Sequence, residues 1–159
     1  MQQASEVELT PEQAAAADVG LKFLVPVRGR PFLDWVLDEV AAAGFEDACL
    51  VVSPDSPLRR RDGDTHRGRL RLRTAIQAQP RGGADAVLAA AEVVEDRDLV
   101  VLNADNLYPA DVLRRLLELD GPGLAGFDAE ALVRESNIPA SRVAAFALIR
   151  AEDGIMTGI

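Results

Sequence analysis

Glycines and a glutamine mark a place where the backbone could approach a ligand. Gln77, Pro80, Gly82 and Gly83 follow an alternating apolar segment and precede a helical pattern. Glycine permits a close backbone approach, and the start of a helix offers free N–H groups to an anion or to the edge of a base. The same pattern suits an ordinary strand-to-helix turn, so both interpretations stay open on these residues alone.

A carboxylate between two amides forms the next candidate. Asp105 follows the apolar run 99–102, and Asn103 and Asn106 flank it. Mg²⁺ prefers oxygen ligands, so Asp105 is a candidate to hold this ion against phosphates. The asparagines suit sugar hydroxyls. The alternative interpretation is a turn or a helix cap made by all three residues.

Positive charge offers further candidates. Lys22 is the only lysine, since 16 of the 17 basic residues are arginine, and its compact charge suits a phosphate. Seven arginines fall within residues 59–73, together with the only histidine, His66. This cluster suits a phosphate or an acidic partner, or else a solvated loop and the outer face of an edge strand. We assign His66 no catalytic role, because no partner stands at metal or triad spacing.

Helices alternate with short apolar strands along the chain. This alternation predicts a Rossmann-like three-layer α/β/α fold with a mostly parallel sheet. In such sheets ligands gather beyond the carboxyl ends of the strands, where Gln77 and Asp105 would lie. The predicted helices are 11–18, 31–43, about 84–94, a segment from Pro109 to Gly121, and 129–135. The predicted strands are a short extended segment 23–27, then 48–52, 70–76 and 99–102, with 53–69 as a loop and 154–159 as the start of another strand.

Apolar spacing also predicts which side chains are buried. The strands 48–52 and 99–102 are expected to be covered on both faces. The strand 70–76 is expected to bury Leu70, Leu72 and Ile76 on one side. Helical spacing predicts the inward faces of the three longer helices. These faces are Phe32, Trp35, Val36, Val40 and Ala43; then Ala84, Val87, Leu88, Ala91 and Val94; then Val112, Leu113, Leu116 and Leu117.

Composition narrows the class of protein. Hydrophobic residues make up 48% of the 159 residues, which is enough for a core. The net charge of −9 argues against a nucleic-acid partner, and no run reaches the length of roughly 18 apolar residues that a membrane helix needs. The single cysteine, Cys49, sits in an apolar run and is expected in the core. A reducing, cytoplasmic compartment is therefore the expectation.

Three segments in order resemble one family, the sugar-1-phosphate nucleotidyltransferases. Residues 22–31, KFLVPVRGRP, are similar to its lysine-x-leucine-x-proline-valine-x-glycine-x-proline segment. Residues 77–84, QAQPRGGA, resemble its glutamine-x-x-proline-x-glycine-x-alanine nucleotide loop. Residues 101–106, VLNADN, resemble its strand that ends in a metal-binding aspartate. The resemblance covers roughly residues 20–159.

The resemblance implies a reaction and a set of roles. A sugar-1-phosphate oxygen attacks the α-phosphorus of a nucleoside triphosphate, pyrophosphate leaves, and a nucleotide sugar forms. Lys22 would contact phosphate, Gln77 and Gly82 would recognise the base, and Asp105 would hold Mg²⁺. Pro80 and Gly83 would complete the nucleotide loop, and Asn103 and Asn106 would bind the sugar. UTP or dTTP is favoured over a purine nucleotide, and a homo-oligomer is left open.

The sequence also departs from the family. No strand leading into a glycine-rich GxGTR-type loop precedes residue 20, and the family's later glutamate-lysine-proline segment and second metal-binding aspartate have no counterpart. We therefore interpret residues 20–159 as a partial nucleotidyltransferase domain, truncated at both ends and inactive alone, with 1–19 as an acidic, alanine-rich helix or insertion.

Two alternatives remain from other classes of protein. One is a non-catalytic module that binds nucleotide, sugar phosphate or a partner subunit. The other is a metal-dependent glycosyltransferase, although such enzymes usually carry two aspartates as D-x-D, and residues 103–105 hold one.

Overall fold

The computed structural model describes residues 22–136 and 138–159. The helix predicted at 11–18 lies outside the described residues. The described chain divides between Gly121 and Pro122 into two compact units. We name them the larger unit (22–121) and the smaller unit (122–159).

Strands and helices alternate in the larger unit. A 3-10 turn, Lys22–Leu24, opens it, so the predicted extended segment 23–27 is extended only in its last part. The elements that follow are β1 Pro26–Val27, β2 Arg30–Pro31, α1 Phe32–Ala43, β3 Asp47–Val52, β4 Thr65–His66, β5 Leu70–Ile76, α2 Gly83–Val94 and α3 Ala110–Leu117. A second 3-10 turn, Pro57–Arg61, and β4 lie within 53–69, which was predicted to be a loop.

A mixed sheet lies at the centre of the larger unit, in the order β3-β5-β4. β3 and β5 run parallel, with Asp47 opposite Arg71 and Val52 opposite Ile76. β4 joins β5 antiparallel. The small pair β1-β2 is a separate antiparallel hairpin. Helices and a sheet containing parallel strands confirm the predicted Rossmann-like α/β class, in a form that is incomplete relative to the family.

The helix α1 matches its predicted limits within one residue. It starts after Pro31, whose fixed φ suits that position, and Gly44 ends it in the left-handed conformation at φ 107°. The buried face is turned from the predicted one, because Phe32 and Trp35 are only half-buried. The residues buried on α1 are Leu33, Val36, Leu37, Val40 and Ala43.

The core of the larger unit forms where α1 covers β5. Leu70 and Leu72 are completely buried against it, as predicted, and Leu113 of α3 joins the same cluster. Ile76 was predicted to face inward but is 44% exposed, and Ala75 is buried instead. The side chains of β3 are only partly covered except at Val52, so the prediction of burial on both faces was wrong.

The helix α2 buries a different face from the predicted one, whereas α3 buries Leu113 as predicted and packs Leu116 against the core. On α2 only Ala90 is buried, whereas Leu88 is 73% exposed. On α3 only Leu113 is buried, and the helix ends at Leu117 rather than at Gly121. The N–H of Ala110 donates to the carboxylate of Glu39 at 2.7 Å, so a side chain of α1 fixes the start of α3.

The segment 99–102 is not a strand, contrary to its apolar composition. Leu99 is 47% exposed and Val101 63% exposed. A run of apolar residues favours a strand only when a neighbouring strand is there to pair and pack with it. Among the described residues, no strand pairs with this segment.

The smaller unit holds two short helices and a hairpin. The helix α4, Ala129–Glu135, confirms the prediction at 129–135, and the side chain of Asp128 caps it by accepting from the N–H of Ala131 at 2.7 Å. The helix α5 spans Ala140–Val143. β6, Arg150–Glu152, pairs antiparallel with β7, Ile155–Gly158. β7 lies within 154–159, the segment predicted as the start of a strand. None of the helices in the described ranges has the length and apolarity needed to cross a membrane.

Candidate functional site

The turn after β5 has a backbone that only glycine adopts readily. The N–H of Gln77 donates to the carbonyl of Val52 at 2.9 Å, so the parallel ladder extends to the first residue of the turn. Gly82 then takes φ 105° and ψ −178°, a region closed to side chains with a Cβ. α2 begins at the next residue. The backbone conformation of Gly82 therefore makes the change of direction between β5 and α2.

The side chain of Gln77 is fixed inside this turn. Its Nε2 donates to the carbonyl oxygen of Gly82 at 3.1 Å and to Oδ2 of Asp85 at 2.8 Å. The structure thus brings Gln77 and Gly82 together. It also places Asp85 in contact with Gln77, although the sequence analysis did not predict Asp85 as a site residue. An acidic residue in the first turn of a helix, eight residues after the glutamine, is the signal that could have found it.

The outer part of the turn is exposed. Pro80 is exposed, and Arg81 donates to Oε1 of Gln79 at 2.8 and 3.1 Å across it. Gly83 has open space around the position of a Cβ. Among the described residues, this leaves the first N–H groups of α2 beside an accessible surface, where an anion or a base edge can accept from them.

A turn places the carboxylate of Asp105 at the surface. The N–H of Asn106 donates to the carbonyl of Asn103 at 3.3 Å, and Nδ2 of Asn106 donates to the hydroxyl of Tyr108 at 3.1 Å. Asp105 itself is exposed and makes no hydrogen bond or ion pair within the described ranges. Its two oxygens are therefore available to a cation.

One carboxylate is a sparse but suitable donor set for Mg²⁺. Within the described ranges, no group of three or more His, Cys, Asp or Glu residues is arranged to hold a metal ion. Mg²⁺ keeps several waters and commonly takes one or two carboxylates together with substrate phosphates. Asp105 fits that requirement as the protein's oxygen ligand.

The two turns open onto one cavity. A space of about 370 Å³ is lined by Gly83 from the first turn and by Asn103 and Ala104 from the second. Its other walls are largely apolar side chains of α1 and α2 and the backbone region of β3. Gly83 and Asn103 are the predicted site residues that line this cavity, whereas Gln77, Pro80, Gly82, Asp105 and Asn106 are not among the described residues that line it.

Lys22 is not among the described residues that line this cavity. It is exposed in the first 3-10 turn, where Phe23 and Leu24 pack against the core. Behind it, Nε1 of Trp35 donates to the carbonyl of Val27 at 3.1 Å and ties the β1-β2 hairpin to α1. The structure thus holds the segment of Lys22 in place without bringing it to the cavity.

Three of the seven arginines within 59–73 pair with carboxylates, namely Arg61, Arg67 and Arg71. Arg67 donates to both oxygens of Asp38 at 2.8 Å, and Nε2 of His66 lies 2.7 Å from Oδ1 of the same group. The side chain of Arg30 adds a third partner at 3.0 Å. The Arg67 guanidinium, together with His66 and Arg30, holds the pKa of Asp38 well below its usual range. We name these four residues the Asp38 cluster.

The Asp38 cluster joins α1 to the segment around β4. His66 has a charged partner that its sequence neighbourhood did not reveal, since Asp38 lies 28 residues away. Arg61 and Asp34 form a similar link at 2.7 Å. Arg71, on the middle strand rather than an edge strand, pairs with Asp47 at 2.8 Å. These pairings favour a structural role for Arg61, Arg67 and Arg71. The other four arginines of the segment form no ion pair in the described ranges, and they are Arg59, Arg60, Arg69 and Arg73.

Cys49 was expected in the core, but it is only partly buried and does not belong to the core cluster. The thiol is half-buried in β3, and burial raises its pKa, which lowers the fraction of reactive thiolate. Cys49 lines the cavity as a small apolar side chain.

Comparison with known proteins identifies relatives over most of the larger unit. Residues 19–133 match the MobA-like NTP transferase domain family. The "Bifunctional protein GlmU" of Maricaulis maris is 37% identical over 101 residues, covering 62% of this chain and 22% of that protein. The protein of the same name from Parvibaculum lavamentivorans is 35% identical over 117 residues, covering 68% of this chain and 25% of that protein.

A relative with a more specific name shares part of the same region. The "Glucose-1-phosphate thymidylyltransferase" of Neisseria gonorrhoeae is 27% identical over 89 residues, covering 55% of this chain and 31% of that protein. The chain thus spans about a quarter of the length of the relatives it matches. No solved structure matches it.

Proposed function

The chain belongs to the MobA-like NTP transferase domain family, and from that premise we propose that it provides the nucleotide-binding side of a sugar-1-phosphate nucleotidyltransferase. In the proposed reaction a phosphate oxygen of the sugar-1-phosphate attacks the α-phosphorus of the nucleoside triphosphate. A new P–O bond forms, the bond between the α-phosphorus and the β-phosphate oxygen breaks, and pyrophosphate leaves. The name of the thymidylyltransferase relative supports this class of substrates.

The observation that carries the proposal is the common cavity of two turns. Gly83 of the first turn and Asn103 and Ala104 of the second line it, and the free carboxylate of Asp105 follows Ala104 in the chain. A nucleotide held at the first turn would direct its phosphates toward the second. Little covalent work is then required of the protein, because positioning and charge neutralisation supply most of the acceleration of phosphoryl transfer.

Each predicted residue has a proposed part in binding. Gln77 and Gly82 meet the base, with Pro80 and Gly83 shaping the loop around it. Asn103 and Asn106 meet the sugar hydroxyls. Asp105 would hold Mg²⁺, which when bound neutralises phosphate charge. UTP and dTTP remain the proposed nucleotides and the cytoplasm the proposed compartment.

Binding without turnover is the second candidate, and the position of Lys22 favours it. The only lysine does not line the cavity, and neither does Gln77 or Asp105, so the cavity gathers few of the proposed contacts. A chain of this kind would bind nucleotide at the glycine turn and leave the reaction incomplete. Measurements of both binding and pyrophosphate release separate the two candidates.

The test compares Asp105→Asn with Asp111→Asn, since Asp111 is also an exposed aspartate a few residues away. Binding of UTP and dTTP is measured with and without Mg²⁺, and pyrophosphate release is followed after glucose-1-phosphate is added. We expect Asp105→Asn to weaken Mg²⁺-dependent nucleotide binding about tenfold, equivalent to roughly 1.4 kcal/mol. Asp111→Asn should bind like the parent chain.

The outcomes distinguish the two candidate functions. Binding followed by pyrophosphate release supports the transferase, and binding alone supports the non-catalytic module. If no nucleoside triphosphate binds, or if Asp105→Asn binds as well as the parent chain in Mg²⁺, the proposed site is wrong.

A further inference from the structure

We infer that Glu39 on α1 is a positioning residue, which holds the loop of Asp105 in place from outside the candidate site. The inference rests on the proposed function, because it concerns the carboxylate that is proposed to hold Mg²⁺. Glu39 is not among the site residues predicted from the sequence, and it precedes its partner Ala110 by 71 residues. We name residues 103–109, between the apolar run 99–102 and α3, the Asp105 loop.

The Asp105 loop has no strand to hold its first end. Among the described residues, no strand pairs with the segment 99–102 that leads into it. The hydrogen bonds inside the loop are local, since the N–H of Asn106 donates to the carbonyl of Asn103 and its Nδ2 donates to the hydroxyl of Tyr108. The position of Asp105 therefore depends on what holds the other end, where α3 begins.

The start of α3 takes its partner from α1. The first N–H groups of a helix find no acceptor within the helix, and Pro109 at the N-cap position has no capping side chain. The N–H of Ala110 donates instead to Oε2 of Glu39 at 2.7 Å, and both residues are half-buried. A hydrogen bond to a carboxylate is roughly twice as strong as one between neutral groups, and negative charge is favoured at a helix N-terminus. Glu39 thus fixes the first residue of α3.

The connection from Ala110 back to Asp105 is short and stiff. Pro109 has a φ of −60°, which its ring locks. The half-buried ring of Tyr108 packs against the core, and its hydroxyl accepts from Asn106, the residue after Asp105. A shift of Ala110 is therefore passed along the loop to the carboxylate of Asp105.

A purely structural role for Glu39 provides the competing explanation, in which it only holds α3 against α1. Arg114 supplies the matched control, because its guanidinium donates to the carbonyl of Ala42 at 3.1 Å. This bond joins the same two helices, but it lies farther along α3 from the Asp105 loop. A structural role predicts similar effects when either bond is removed. A positioning role predicts that only the bond of Glu39 affects the metal ligand.

The experiment measures the dissociation constant of UTP with and without Mg²⁺, and the ratio of the two values is the gain from Mg²⁺. Glu39→Ala should reduce this gain about fivefold, a typical net effect of one hydrogen bond, and should leave binding without Mg²⁺ unchanged. Glu39→Gln keeps an oxygen acceptor and should retain most of the gain. Arg114→Ala should leave the gain unchanged.

A double substitution shows whether Glu39 acts through Asp105. Two residues that act through one contact give non-additive effects, whereas independent residues give additive ones. In the Asp105→Asn background, Glu39→Ala should therefore reduce the gain from Mg²⁺ no further. A fivefold effect that persists in that background, or an equal loss caused by Arg114→Ala, would overturn the inference.

A second variant removes the same hydrogen bond from its other side. Ala110→Pro deletes the N–H that Glu39 accepts, and proline is well tolerated at the first position of a helix. It should reduce the gain from Mg²⁺ as Glu39→Ala does, and it carries the test if Glu39→Ala does not fold. A folded Ala110→Pro chain that keeps the full gain would contradict the positioning role.

Backbone NMR signals provide a readout that needs neither nucleotide nor Mg²⁺. In the parent chain the amide proton of Ala110 should exchange slowly with water. In Glu39→Ala it should exchange faster and the signals of residues 103–108 should shift, whereas Arg114→Ala should leave both unchanged. Loop signals that do not move in folded Glu39→Ala would overturn the inference. A parent chain that binds no UTP would overturn the proposed function, while the amide signals would still decide whether Glu39 fixes the Asp105 loop.

Discussion

Gly82 carries the most demanding backbone conformation in the candidate site. Its φ of 105° and ψ of −178° cost a residue with a Cβ about 1–3 kcal/mol. The space around the missing Cβ is open, so strain rather than a clash sets the cost. We expect Gly82→Ala to lower the free energy of unfolding by that amount and to weaken nucleotide binding by displacing the carbonyl that Gln77 contacts.

The neighbouring glycine supplies the control for Gly82→Ala. Gly83 also has open space around a Cβ, but its φ is not positive. Gly83→Ala should therefore change the free energy of unfolding by less than about 0.5 kcal/mol. Urea unfolding followed by circular dichroism gives both values. Equal effects of the two substitutions would show that the backbone of Gly82 is not strained by a side chain.

The contact of Asp85 with Gln77 shows what the motif could not reveal at the scale of single residues. Gln77, Gly82 and Gly83 were predictable, because their types and spacing carry the resemblance. The partner of Gln77 depends on the unusual φ at Gly82, which turns the start of α2 back toward the strand end. A spacing in sequence does not encode that reversal.

At the scale of elements, the Asp38 cluster holds the segment around β4 against α1. The pKa of Asp38 is held down mainly by Arg67, so the folded chain binds fewer protons there than the unfolded chain, whose aspartates titrate near pH 4. The stabilisation is therefore complete above about pH 4 and is lost as the pH falls below that value. Asp38→Asn should cost about 1–2 kcal/mol at pH 7.

The test of the Asp38 cluster is the dependence of stability on pH. The difference in the free energy of unfolding between the parent chain and Asp38→Asn should be constant from pH 7 to pH 5 and should narrow toward pH 2. Asp55→Asn is the control, since Asp55 is exposed and has no ion pair in the described ranges. A difference that stayed constant down to pH 2 would mean that ionisation of Asp38 is not the source of the stability.

The elements themselves were predictable where local pattern and packing agree. α1 has an amphipathic pattern with Pro31 and Gly44 at its ends, and β5 alternates apolar and arginine residues. The helix faces were less predictable, since alanine and valine on α2 define no sharp stripe. The prediction of a strand at 99–102 was wrong for another reason. Its apolar residues favour a strand, but a strand also needs a neighbouring strand, which only the assembled fold can supply.

At the scale of the whole molecule, β3 presents an open edge to the cavity. The N–H of Arg71 donates to the carbonyl of Glu46, and that of Gln77 to the carbonyl of Val52. Because bonding alternates along a parallel ladder, the backbone groups of residues 47, 49 and 51 point to the other edge. Among the described residues, β5 is the only strand paired with β3. An open edge beside apolar side chains favours association with further chains.

We therefore expect the chain to self-associate as its concentration rises, through the apolar wall that includes Val101. This side chain is 63% exposed and lines the cavity, so Val101→Lys should shift the mass toward the monomer without loss of folded structure. Leu88→Lys is the matched control, because Leu88 is 73% exposed on α2 and is not among the lining residues. Analytical ultracentrifugation over a hundredfold range of concentration measures the effect. If the parent chain stays monomeric, the open edge of β3 does not mediate self-association. If both lysine substitutions shift the mass equally, the change in net charge is the cause, and the wall of the cavity is not.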